Sequence, residues 1–220
     1  MTVVTFDRTA EHRLHDLGLD VPLLVRALQR ADAEAKQTTG LEPPTAEGST
    51  RYFKTVRFLR EELVPLGWDP DNYRNFCRTV HPSRRHSIVV SSGDEFTGLD
   101  IHGTSPRTKY PKGDLTEVAV QRNAVQDAFD FGEEFAEPIA ERVRVESTWY
   151  LLQYTTPQHI QAEVSLPTAF KNGMITDWQE RILLPLITRE DPGSAEGATF
   201  SDPGPGDTDG DAYSFDITMR

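Results

Sequence analysis

Apolar residues recur at helical spacing in the N-terminal part of the chain and alternate or run together toward its end, so the pattern predicts helices first and strands later. In DVPLLVRALQRADAEAK, Leu23, Leu24, Ala27, Leu28 and Ala31 form one stripe. Asp20 or Val21 stands at the cap and Pro22 suits the first turn. Gly40 and the following Glu-Pro-Pro stop this helix. In STRYFKTVRFLREELVPLG, Tyr52, Val56, Leu59 and Leu63 recur at intervals of 4, 3 and 4, and Phe53 widens the stripe. Arg51, Lys54 and Arg57 fall together on the other side of that helix, which Pro65 and Gly67 end.

A third, short helix is predicted over WDPDNYRNFCRTVHPS, with Asp69 at the N-cap and Pro70 at the first helical position. Tyr73, Phe76, Cys77 and Val80 would point one way, and Arg74 and Arg78 another. SIVVSSGDEFTGLDI predicts a β-hairpin, from Ile88–Val90 through the turn-rich SSGD to a return strand carrying Phe96, Leu99 and Ile101. GTSPRTKYPKG is a loop, after which Asp114 caps a helix whose face carries Leu115, Val118, Val125 and Phe129 and which Gly132 ends. Residues 1–19 read as a lead-in with one helical turn over residues 11–17.

Past an acidic connector the pattern becomes that of strands. RVRVESTWYLLQYTT alternates and then turns bulky, as in a strand covered on both faces near its end. KNG is a hairpin-turn signal that joins TAF to MITDWQERILLPLI, so three or four antiparallel strands are expected between 142 and 187. The predicted fold class is α+β. A helical N-terminal half packs on an antiparallel sheet made of the hairpin and the C-terminal strands, all within one domain over residues 1–188. Residues 189–212 read as an acidic flexible linker, and residues 213–220 as a short strand in which Phe215, Ile217 and Met219 alternate.

Charge changes this picture. The 220-residue chain carries a net −12, but residues 51–112 hold 11 basic and 7 acidic side chains, the one net-positive block. An anionic partner is therefore to be sought there. Its candidate contacts are Arg51, Lys54, Arg57, Arg74, Arg78, Arg84, Arg85, Arg107, Lys109 and Lys112, with Tyr110 interleaved to stack on a base. The acidic tail offers itself as a solubilising linker or as a segment folding back over this block.

Catalytic signatures are sparse. The sequence has no G-x-S-x-G, no phosphate-binding P-loop, no G-x-G-x-x-G and no H-E-x-x-H. Asp94, Glu95, Asp100, His102 and Glu117 are the side chains that would hold Mg2+ or Mn2+ in a metal-dependent phosphodiester hydrolase, since hard cations need several converging oxygens beside a basic surface. Their alternative is to be solvated turn and helix-start carboxylates, with Asp94 satisfying local amides. Cys77, the only cysteine, forms no internal disulfide, supports no cysteine-cluster zinc site, and reads as a small core residue beside Phe76. Trp149, Tyr150, Tyr154 and Trp178 read as sheet packing, and Glu163 and Glu180 as charges facing away from their apolar neighbours.

No apolar run approaches the ~20 residues of a membrane span, and no basic-then-apolar leader opens the sequence. The expected compartment is the cytoplasm, with neither a membrane partner nor a dedicated metal or cofactor. The sequence points to a non-enzymatic binding or accessory protein that holds an anionic partner, nucleic acid, on residues 51–112. The metal-dependent hydrolase is one alternative. A second is an acidic interaction protein, or mimic of DNA, that binds basic proteins.

Overall fold

The leucine stripe between Leu23 and Ala31 is buried along one face of a helix, Val21–Ala35 (α2), whose first turn is capped as the sequence anticipates: the Asp20 carboxylate accepts the Leu23 amide at 2.7 Å. A computed structural model describes residues 2–126 and 147–189. Helix Ala46–Leu63 (α3) packs beside α2 through Phe58, Leu59 and Leu63. A further helix, Asp7–Asp16 (α1), occupies most of the expected lead-in and buries Ala10 and Leu14.

The described strands are Val3–Thr5 (β1), Asp69–Asp71 (β2), Arg78–Val80 (β3), His86–Ser92 (β4), Ser147–Thr155 (β5), His159–Lys171 (β6), Met174–Leu183 (β7) and Ile187–Thr188 (β8). They form one sheet in the order β1-β7-β6-β5-β4-β3-β2, with β8 pairing the outer end of β6. The KNG turn closes the β6–β7 hairpin with Asn172 and Gly173 both at positive φ, as that signal requires. Together β5, β6 and β7 are the antiparallel strands expected in this region.

The fold class is α+β, but the sheet is mixed rather than antiparallel: β4 runs parallel to β5, and β1 parallel to β7. Two sequence expectations give way here. Residues 69–80 are a hairpin of β2 and β3, not a helix. The Asp71 carboxylate accepts the Tyr73 amide, and Arg74 and Asn75 then reverse the chain at positive φ. Asp-Pro thus serves a strand and a turn instead of a helix start. No return strand follows β4 either, because β3 and β5 take its two edges. The chain instead passes over the sheet and through helix Asp114–Gln126 (α4) before the described part resumes in β5. A parallel neighbour requires such a crossover.

Both faces of the sheet are covered. On one, α1–α3 pack on Ile88, Val90, Trp149, Leu151, Val164 and Ile182. On the other, Val89, Tyr150, Leu152, Ile175 and Trp178 pack under Val120 of α4. The strict alternation Trp149/Leu151 against Tyr150/Leu152 supplies both layers from one strand. On β7 the alternation breaks. Leu166 opposes Glu180 while Pro167 opposes Trp178, so Gln179 bulges and Trp178 turns onto the same face as Arg181.

Residues 93–113, expected as a return strand and a loop, lie on that second face and cover Glu163, which the sequence placed opposite its apolar neighbours. Glu163 is 0% and Arg181 2% exposed. The Glu163 carboxylate accepts bonds from the Arg181 guanidinium, the Ser165 hydroxyl (2.7 Å) and the Gly98 amide (2.8 Å), while Arg181 also donates to the Leu99 carbonyl (3.0 Å). Farther along, Trp178 Nε1 donates to the Pro106 carbonyl at 2.8 Å. Asn123 of α4 completes the layer by bonding the Thr148 amide and carbonyl and the Pro167 carbonyl. No described helix is long and apolar enough to cross a membrane. The strand portion 142–146, the helix portion reaching Gly132, residues 190–212 of the expected linker and the terminal strand 213–220 lie outside the described residues. Arg189, assigned by sequence to that linker, bonds Asp32 (2.9 Å) and the Thr156 carbonyl (2.8 Å).

Candidate anion-binding site

Of the ten basic residues singled out by sequence, eight divide into two sets of four, and Arg84 and Arg85 stand apart. In the first, internal carboxylates occupy the cations. Arg51 reaches Asp32 (3.0 Å) and Glu47 (2.5 Å), Lys54 reaches Glu34 (2.8 Å), and Arg57 reaches Glu61 (2.8 Å), all along α2 and α3. Arg78 is buried against Asp71 at 2.5 Å. Burial alone would push the Asp32 carboxyl up, but Arg189 and Arg51 together outweigh it and hold the pKa below the usual value. These four residues bind the protein to itself. Arg84, in the turn between β3 and β4, stands 3.8 Å from Asp69 of β2, and Arg85 is its exposed neighbour.

The second set is Arg74, Arg107, Lys109 and Lys112. Among the described residues no carboxylate forms an ion pair with any of them. Three belong to a strap, residues 106–112, that is stitched along its length. Thr108 bonds Ile175 in both directions, the Lys109 amide donates to the Ser92 carbonyl (2.9 Å), and the Lys112 amide donates to the Gly173 carbonyl (2.7 Å). Tyr110 projects from the strap at 57% exposure, with the Lys109 ammonium 5.6 Å from its ring centre.

The strap ends at a cavity of about 390 Å³. Its position follows from the strand lengths: β3 pairs β4 only as far as Val89, so the side of β4 from Val90 onward has no β3 partner. Tyr52 of α3 enters the gap from one side and the first turn of α4, Asp114–Thr116, from the other. Arg74 and Lys112 stand at its edges, and Val89 and Tyr150 lie beneath it. Arg74 is in the left-handed region (φ 47°, ψ 44°), a conformation costing an arginine about 1 kcal/mol or more.

Three polar features converge here. Of the amides opening α4, that of Thr116 donates to the Gly113 carbonyl (2.9 Å), while those of Asp114 and Leu115 precede the first intrahelical acceptor, and the helix dipole adds positive potential at the same end. Lys112 is half-buried, and the loss of water pushes its pKa below the ordinary lysine value. The Tyr150 side chain is 0% exposed and its hydroxyl makes no hydrogen bond, while burial drives its pKa upward. The neighbouring Thr116 hydroxyl offsets that rise without reaching hydrogen-bonding geometry. Asp114 adds one negative charge at the cavity edge. Cys77, expected in the core, is half-buried beside this cavity, where it raises the Tyr52 pKa already lifted by burial.

The candidate metal ligands are spread apart. The Asp94 carboxylate accepts the amides of Phe96 (3.2 Å) and Arg107 (3.0 Å), and burial outweighs these bonds to raise its pKa. It therefore holds the start of the crossover to the strap. Glu95, Asp100 and His102 are exposed along the crossover, and Glu117 is exposed on α4 beside Gln121. Among the described residues no three His, Cys, Asp or Glu side chains gather closely enough to hold a metal ion.

Sequence reasoning named Arg74 and Lys112 but not the cavity joining them, and assigned Tyr150 to packing alone. The one local signal was a hydroxyl-bearing ring in the apolar run TWYLL, which strand alternation turns away from Trp149. Comparisons with protein-family models, with curated proteins and with solved structures found no match to this chain.

Proposed function

We propose that this protein is a non-enzymatic binding or accessory protein that holds an anionic chain, single-stranded nucleic acid, along the strap and the adjoining Arg74. The observation that carries the reading is the set of four cations without carboxylate partners among the described residues, beside an exposed Tyr110. Phosphates meet Arg107, Lys109, Lys112 and Arg74, and a base stacks on Tyr110, a contact worth about 1–3 kcal/mol. The ion-paired Arg51, Lys54, Arg57 and Arg78 take no part, because recruiting them would leave partly buried carboxylates uncompensated.

The surrounding −12 charge gives a polyanion no long-range attraction, so binding rests on local contact. The test is fluorescence anisotropy with a labelled single-stranded oligonucleotide over a salt series. Four phosphate contacts predict a log–log salt slope of about −3, at roughly −0.7 per phosphate. Arg107→Glu with Lys109→Glu should remove binding, whereas Arg57→Gln, on the far side of an ion pair with Glu61, should leave it unchanged. Absence of binding at low salt, or equal binding by the strap variant, refutes the proposal.

A further inference from the structure

We propose that the cavity between β4 and the start of α4 receives a terminal phosphate, a phosphomonoester at a chain end or on a free nucleotide, and not an internal phosphodiester. This rests on the anionic-chain reading above and names the part of the ligand that the cavity recognises.

Several observations select this group. The helix start, whose Asp114 and Leu115 line the cavity, supplies unbonded amides, and α4 is 13 residues long, enough for a developed dipole. Helix starts of this kind are common, so the selective feature is Tyr150. Its ring is wholly buried, its hydroxyl lies beneath the cavity, and no protein group hydrogen-bonds it. A buried hydroxyl is normally paired, and leaving one unmade carries a penalty. A phosphate oxygen entering above it accepts that proton while its other oxygens meet the α4 amides and Lys112.

Lys112 fits the same account from the opposite direction. It is a half-buried ammonium that makes no ion pair among the described residues, an arrangement that an entering anion relieves. With Arg74 across the cavity the site holds two cations. A phosphomonoester carries about −1.5 to −2 at neutral pH, against −1 for a diester link.

Access makes the choice between end and middle. Val89, Tyr150, Tyr52 and the start of α4 line the cavity together, and the Tyr150 hydroxyl is buried behind that lining. A group reaching it enters deeply, which a chain end does with one substituent, whereas an internal phosphate carries a sugar on each side. The volume, about 390 Å³, falls at the lower end of the roughly 300–1,000 Å³ that ligand pockets occupy. Asp114 opposes the charge at the edge, so the dianion is held by the balance of two cations and the helix start against one carboxylate.

The test compares one oligonucleotide with a 5′-phosphate, with a 3′-phosphate and with neither, alongside inorganic phosphate and a nucleoside 5′-monophosphate, all with the full chain. A terminal phosphate should tighten binding about tenfold or more, the scale of a charge-assisted hydrogen-bond set. Lys112→Gln should abolish that preference, read as the ratio of phosphorylated to unphosphorylated affinity, while also weakening the unphosphorylated oligonucleotide, since one of the four proposed phosphate contacts is lost. Tyr150→Phe should cut the preference by about threefold to tenfold without lowering the melting temperature, because its hydroxyl bonds nothing in the free protein.

Equal binding of the three oligonucleotides overturns this inference and leaves the anionic-chain reading standing. If no oligonucleotide binds but inorganic phosphate or the monophosphate does, with loss in Lys112→Gln, the chain reading fails and the cavity assignment holds for a free ligand. If none of these probes binds, both fail. A Tyr150→Phe variant that keeps the full preference removes the hydroxyl from the site and overturns the argument that selects this cavity.

Discussion

Replacing Glu163 by glutamine should be among the most damaging single changes available on the sheet, although it preserves shape. Glu163 is fully buried and Arg181 nearly so, and the carboxylate serves the guanidinium, Ser165 and the Gly98 amide at once. Glutamine has one acceptor oxygen in place of two, so it keeps the bond from Ser165 or from Gly98 but not both, because these fall on different carboxylate oxygens. The charge is lost as well. Arg181 remains in the interior with neutral acceptors and no counter-charge, and breaking a buried pair in this way costs about 3–5 kcal/mol. For a fold of this size each kcal/mol moves the melting temperature by about 2–4 °C, so the variant should melt about 10 °C lower.

The complementary variant is Glu163→Leu with Arg181→Met. Substituting apolar residues for a buried pair is often neutral or stabilising. Here the Gly98 amide and Leu99 carbonyl lose their partners, and each orphan costs about 1–3 kcal/mol, so the double variant should remain below wild type by about 2 kcal/mol or more. Urea titration with both midpoint and slope reads these differences, and amide exchange at Gly98 should accelerate in both variants. A loss under 1 kcal/mol for Glu163→Gln, or a double variant more stable than wild type, would refute the account of this pair as a clamp on residues 97–99.

Two further expectations follow from buried polar groups. Asn123→Ala removes three bonds to the Thr148 amide and carbonyl and the Pro167 carbonyl, and should cost about 3 kcal/mol in urea unfolding; a change within 0.5 kcal/mol, the scale of an ordinary surface substitution, would contradict that role. His81 and His86 stack with ring centres 4.5 Å apart, each edge-on to Trp68, and burial lowers both pKa values; for His86 the Leu17 carbonyl bond opposes this, while His81, Arg13 and Arg85 add to it. The unfolded chain then takes up protons first, so their contribution is complete above pH 6.5 and declines as pH falls below that value toward the folded-state pKa values. Urea midpoints at pH 7.5 and 5.5 should show the decline, and a His81→Gln variant should show less of it; an unchanged decline in that variant would reassign it to other groups.

Much of the helical layer was legible because α2 and α3 carry stripes that only a helix brings to one side, and Asp20 with Pro22 marks the entry. The β6–β7 hairpin was legible for a local reason too, since Asn172 and Gly173 tolerate the turn they occupy. The pairing of β4 was not. A parallel neighbour lies dozens of residues away and leaves no local trace, so the turn-rich SSGD looked like the tip of a hairpin. At β2 the Asp-Pro pair carried a helix-start pattern that the Asp71 side chain overrode by bonding Tyr73. The basic block was readable only as charge. Asp32, Glu34 and Glu61 lie 19, 20 and 4 residues from the cations they neutralise, and only the packing of α2 on α3 brings the first two pairs together. The Tyr150 hydroxyl depends on what fails to surround it, which composition does not encode.

The outermost strands of the sheet bear on self-association. At one margin β2 is three residues long, Asp-Pro-Asp, so a proline withholds an amide and two carboxylates repel an incoming strand. At the other, β1 is also three residues long. Short and proline-bearing margins are how β proteins discourage runaway strand addition. A second copy of this chain meets little template on β1 or β2 themselves, so stress that loosens the helices should expose sticky faces before it seeds fibrils through these two strands.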